Sequence, residues 1–146
     1  MKTLLLLLFA ALCASASVSP CQTFNAVSGT INATTGEIDC SYILEPPSDE
    51  YQYVTIKFDW IMLDSLDLLS IYDGPSNGSA LIAALPAGMR VTPAFATSQP
   101  YATIRFVSKT QWNGGGWSLQ FQFHKGVAPL CAGKIMMCLF LHSRRS

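Results

Sequence analysis

Asp59, Asp64 and Asp67 stand close together, and Asp73 follows six residues after the last of them. Two carboxylates flanking a sugar bond can serve as general acid and as nucleophile or base, so the set raises glycoside hydrolysis. That chemistry needs a pocket. The strand pattern around these residues puts them on a loop rim instead, where solvated acids are the plainer assignment. His124 falls on the polar side of a strand and His142 near the C-terminus, and neither has a serine or cysteine beside it. Asn113-Gly-Gly-Gly116 lacks the lysine and the following helix of a phosphate-binding loop and reads as a flexible hairpin tip. The expectation is a protein without catalytic activity and without a resident cofactor.

The chain has 146 residues, enough for one domain with a proper core. Lys2, the apolar run Leu4 to Leu12 and the small residues Ala14-Ser-Ala16 form a cleaved secretory leader over residues 1–16. The run is shorter than the roughly 20 residues a membrane-spanning helix needs, so no transmembrane segment is expected and the protein is expected to be secreted. Leu12 before Cys13 argues against lipid modification of that cysteine. Cleavage leaves Cys21, Cys40, Cys131 and Cys138, an even set that in an oxidising compartment favours disulfides over metal sites. The sequons Asn32-Ala-Thr34 and Asn77-Gly-Ser79 suit the same compartment and mark surface segments of a glycoprotein.

The formal charge of zero is unevenly spread. Between Cys21 and His124 four basic residues face nine acidic ones, a net of −5, whereas Lys125, Lys134, Arg144 and Arg145 follow without an acid. An acidic body argues against nucleic acid and favours basic partners or cations.

Period-two alternation dominates and predicts strands. Trp117, Leu119, Phe121 and Phe123 share one face, and Ala102, Ile104 and Phe106 share another. A long strand from Tyr53 to Leu63 bends near Trp60, and Ile38 to Leu44, Leu68 to Tyr72, Ala80 to Leu85 and Val91 to Thr97 complete the set. Turn chemistry separates the runs, most clearly at Asp73-Gly74-Pro75, where Asp bonds its own backbone and Gly accepts positive φ. About eight short strands at regular spacing predict an all-β antiparallel sandwich over residues 21–125. Residues 126–146 form a tail with an apolar run from Leu130 to Leu141. It could be a short helix on the sandwich, a frayed terminus or the end of a truncated or alternative version of a longer polypeptide, and the last is favoured.

Several dispersed motifs then coincide. Cys21, Gly29-Thr-Ile31 and Cys40-Ser-Tyr42-Ile43 open the pattern. Phe58, Ile61, Leu63 and Asp64 precede Asp67-Leu-Leu-Ser-Ile-Tyr-Asp-Gly74, and Phe106-Val-Ser108 and Gly116-Trp117 follow. Their order resembles the CUB domain, an extracellular jelly-roll-like β-sandwich that binds partners. The resemblance covers about 100 residues and takes Gly29-Thr-Ile31 as a turn. It implies a Cys21–Cys40 disulfide, whose loop of about 20 residues contributes roughly 3 kcal/mol. The family's second disulfide has no partners here, which leaves Cys131 and Cys138 to pair with each other or with another chain.

In calcium-binding CUB domains three acids hold the ion. The resemblance carries the first two onto Asp64 and Asp67, whose hard oxygens suit calcium, but Lys109 occupies the third position. An ammonium there repels a cation, and a Lys109 salt bridge to Asp64 or Asp67 could replace it. The implied function is a secreted recognition module, binding an extracellular protein or glycan through a rim of Asp64, Asp67, Asp73, Lys109 and Trp112. Trp112, at a loop tip, either anchors the partner or folds back on the sandwich. Alternatives are an N-terminal targeting domain of a larger extracellular protease or receptor, and a carbohydrate-binding protein similar to the single-domain spermadhesins.

Overall fold

The computed structural model describes residues 20–110, 114–130 and 132–133. Nine strands are present among them: β1 (Pro20–Phe24), β2 (Ser28–Thr34), β3 (Ile38–Leu44), β4 (Tyr51–Met62), β5 (Asp67–Asp73), β6 (Ala80–Leu85), β7 (Ala94–Ala96), β8 (Ala102–Ser108) and β9 (Gly116–Lys125). They form an all-β sandwich of a five-stranded sheet, ordered β1-β3-β8-β5-β6, and a four-stranded sheet, ordered β2-β9-β4-β7. Every pairing is antiparallel except that of β1 with β3.

The alternation in the sequence becomes the two inner faces. Leu69 and Ile71 of β5 pair with Phe106 and Ile104 of β8. Across the sandwich, Val54, Ile56 and Phe58 of β4 pair with Phe123, Phe121 and Leu119 of β9. All ten are buried. Trp117 joins the layers: fully buried, it meets Tyr42 and Phe106 of the other sheet edge-on, with ring centroids 5.3 and 5.9 Å away, and its neighbour Phe58 at 6.1 Å. Such edge-to-face arrangements set positive ring edges on negative faces. Burial also pushes the Tyr42 phenol pKa up.

Two expectations shift. Gly29-Thr-Ile31 is not a turn: it lies inside β2 and pairs with Phe121, Gln120 and Leu119. At Gly29 the absent side chain leaves room for the Phe121 ring, which an added Cβ would approach to 2.8 Å. The Val91 to Thr97 run shortens to Ala94–Ala96, with Val91 exposed. Pro93 lies just before the strand and has no N–H to donate to a ladder. The bend near Trp60 is a register shift between Phe58 and Trp60.

Cys21 and Cys40 form a disulfide, with Cα atoms 5.4 Å apart, that fastens β1 to β3. Gly116, at the start of β9, adopts φ of 138° and an added Cβ would stand 2.0 Å from the Ala33 carbonyl oxygen. Among the described residues no helix is long and apolar enough to cross a membrane.

Because Trp117 spans both layers, Trp117→Ala should lower unfolding free energy by about 3–5 kcal/mol. Urea denaturation checks this; a loss below about 1 kcal/mol would mean that the ring is not the inter-sheet contact described.

Candidate functional site

The alternation that points apolar residues inward continues past the core. Asp67 of β5 and Ser108 of β8 are register partners on the face that carries Leu69 and Phe106. Asp67 is thus 8% exposed, and a carboxylate so buried must be satisfied. Its Oδ1 accepts from the Ser108 hydroxyl at 2.6 Å, and its Oδ2 accepts from the Asp64 N–H at 2.8 Å. The Asp67 N–H in turn donates to the Asp64 carbonyl at 3.0 Å, closing the turn between β4 and β5.

Other connections join at this end. The Gly36 N–H, between β2 and β3, donates to the Ser108 hydroxyl oxygen at 3.2 Å. The Thr35 N–H donates to the Gly115 carbonyl at 3.0 Å, and the Gly115 N–H returns a bond to Thr35 Oγ1 at 3.1 Å. The β4–β5 turn is therefore tied to the Asp67 carboxylate, the β2–β3 turn reaches it through Ser108, and the close of β8–β9 is bonded to the β2–β3 turn.

The surface of this end is mixed. Asp64, half-buried, accepts at Oδ1 from the Ser65 hydroxyl at 2.9 Å and from the Ser65 N–H. Lys109 follows inward-facing Ser108, so alternation turns it outward, and it is exposed. The expected Lys109 bridge to Asp64 or Asp67 is not formed. Among the described residues the ion pairs are Arg105 with Asp39, at 3.4 Å, and Lys125 with Glu50. Leu66 is 61% exposed at the tip of the acidic turn, and Met62 and Leu68 are exposed beside it in sequence. These apolar residues belong to the rim although the acids alone had marked it. The available signal was a leucine between two turn aspartates, in a stretch too short to bury it.

Asp73 lies elsewhere. It ends β5, roughly 20 Å from Asp67 at the strand's rise per residue. It too is buried, accepting from the Ser98 N–H at 2.9 Å and the Ser98 hydroxyl at 2.6 Å, while the Gln99 amide donates to its carbonyl. The structure thus brings Asp64, Asp67 and Lys109 to one end and Asp73 to the other. Trp112, Cys131, Cys138 and the leader lie outside the described residues. Asn32 is exposed on β2 and Asn77 is exposed between β5 and β6. Asp59 accepts from the Gln120 amide at 2.9 Å. The His124 ring is held by Thr55 Oγ1 at 2.8 Å and stacks on Tyr53, and burial pushes its pKa down.

Calcium takes six to eight oxygens. Among the described residues no three groups drawn from His, Cys, Asp and Glu come together as a metal site. Both Asp67 oxygens already accept protein donors, and the family resemblance sets the Lys109 ammonium where a third acid would stand. The residues present do not fit a calcium ion.

The CUB domain family model matches residues 13–121. The chain belongs to the CUB domain family. Members are generally non-catalytic binding modules of extracellular proteins. The MASP-1 CUB2 domain bound to Ca²⁺ is similar over 70% of this chain and 98% of its own, at 18% identity and TM-score 0.54. The CUB1-EGF-CUB2 domains of rat MASP-1 match at 11% identity and TM-score 0.57, over 70% of this chain. The human MASP-1/3 counterpart matches at 19% identity and TM-score 0.56, over 72% of this chain. This CUB chain spans 42% of each of those two longer structures. At such identities the likeness is one of fold. No curated protein matches the chain.

Asp67→Ala should cost about 1–3 kcal/mol, because the Asp64 N–H and Ser108 hydroxyl lose their acceptor. Asp64→Ala, at the more exposed position, should stay within about 1 kcal/mol of the parent. Equal losses in thermal or urea unfolding would contradict this division between a buried support and a surface acid.

Proposed function

We propose that this CUB protein is a secreted, non-catalytic recognition module that binds an extracellular protein through the Asp64–Lys109 end. One observation carries this reading: the Asp67 carboxylate ties the β4–β5 turn to Ser108 and, through Ser108, to Gly36, and the surface they support sets exposed Leu66 and Met62 close in sequence to Asp64. Protein interfaces combine such apolar anchors with a polar rim. The acidic body, of net charge −5 between Cys21 and His124, favours a partner that offers lysine or arginine beside apolar surface. Trp112, in the connection between β8 and β9, is assigned to the same rim.

Residues 1–16 are assigned as the cleaved leader, residues 21–125 as the domain and 126–146 as a tail. The Asp67 hydrogen bonds order the loops from within the protein, so calcium is not assigned to this rim. A second reading, an accessory domain of a larger extracellular protease or receptor, is favoured by the two CUB1-EGF-CUB2 structures. In these the CUB fold is one unit of a longer chain.

The secreted chain, used to capture partners from extracellular fluid, separates these ideas. Asp64→Ala with Leu66→Ser should leave the fold intact and lower affinity roughly tenfold or more, a hot-spot effect. Capture should persist in a calcium chelator. Undiminished capture by the double variant would refute the rim, and loss of capture in chelator would restore calcium to the site.

A further inference from the structure

The outer face of the four-stranded sheet carries one of the two sequons and an open groove bordered by Pro129. In β2, Ile31 and Ala33 are buried while Asn32 is exposed on the outer side. Across the ladder Asn32 pairs with Ser118, and Ser118 pairs with Trp60. These three residues form one row about 10 Å long, because strands lie about 4.8 Å apart. Trp60 at its far end is 44% exposed, Asn32 at the near end is exposed, and Ser118 between them is buried.

An open groove of about 830 Å³ begins one row along, at Thr30, Gln120 and Lys57, and continues past Gln122 to His124 and Tyr53. That space is ample for a small saccharide. Its lining holds amides, hydroxyls and a flat aromatic pair with centroids 4.8 Å apart, and no carboxylate. Hydrogen bonds from Gln120 to Asp59 and between Thr55 and His124 set these side chains before anything binds. Pre-set polar groups around an apolar ring face are what a sugar needs, since a sugar offers hydroxyls on its edge and C–H groups on its face.

We propose that this face seats the chain's own glycan: the first N-acetylglucosamine on Asn32 lies over Ser118 towards Trp60, and later sugars follow the groove. This rests on the reading that the chain is secreted. The attachment is an exchange: Asn32 Nδ2 bonds to C1 of the sugar, the lipid pyrophosphate of a lipid-linked oligosaccharide donor leaves, and one amide proton is lost. A tethered sugar is present at high effective concentration, so weak stacking and a few hydrogen bonds suffice to hold it. Asn77 lies in the β5–β6 connection of the other sheet and does not line this groove.

The test uses the full secreted chain, with the mass of the Asn32 and Asn77 peptides and with labelling before and after enzymatic glycan removal. Removal should raise hydroxyl-radical oxidation of Trp60 and acetylation of Lys57 several-fold. Asn77→Gln should leave both unchanged, and Trp60→Ala with its glycan intact should raise Lys57 acetylation. Bare Asn32 beside a glycosylated Asn77, or unchanged labelling after removal, would overturn the seat alone. Two bare sequons on a chain that stays inside the cell would overturn the secretion reading with it.

Discussion

A carboxylate withdrawn from water must find donors within the protein, and Asp67 finds them in Ser108 and in the backbone of Asp64. Strand alternation leaves it no alternative. Leu69 and Ile71 must face the opposite sheet, so the residue two places before Leu69 faces the same way, at the point where the apolar core ends. Satisfying that group fixes the turn after β4, positions the last residue of β8 and, through Gly36, draws in the turn before β3. The loop end follows from a burial constraint more than from any preference of the loops themselves.

The same strand repeats the device at its far end, where Asp73 is closed by Ser98. An added Cβ at Gly133 would come within 2.3 Å of Asp73 Oδ2, so the chain after β9 returns close to that carboxylate, and the Gly133 N–H donates to the Ala96 carbonyl. β5 therefore bears an aspartate at each end of its inward face. Both seal the sandwich, and the Asp67 end combines its seal with exposed Leu66 and the exposed Lys109. Two acids of like chemistry thus differ in role because their surroundings differ.

A CUB domain of similar fold binds Ca²⁺, and the family resemblance sets Lys109 where calcium-binding members carry an acid. Alternation directs Lys109 away from Asp67, and hydroxyl and amide donors supply what the carboxylate needs. An internal network of this kind has no ion to lose at low calcium, and it leaves the lysine and Asp64 available to a partner. On the two proposals made above, the faces of the protein divide the work: loops at one end for recognition, and the four-stranded face for the chain's own carbohydrate.

Period-two patterns and the turn at Asp73-Gly74 were enough to determine an all-β sandwich and most strand positions, because each is a local signature, and the resemblance carried by the dispersed motifs implied the Cys21–Cys40 bond. Ile38–Leu44 and Ala80–Leu85 emerge with the very ends the pattern indicates. Gly29-Thr-Ile31 misled, since glycine signals a turn locally but here makes room for Phe121, a residue far along the chain. The candidate site was legible only in part. Asp64 and Asp67 could be picked out as acids near a turn, yet nothing in their spacing says that one is buried against Ser108 and the other half-exposed. The strand predicted from Leu68 to Tyr72 does part Asp73 from Asp67, an implication that grouping all the acids in one rim overlooks. The difference between Asp64 and Asp67 depends on which strands become neighbours and which face of each is covered, and only the assembled sheets decide that.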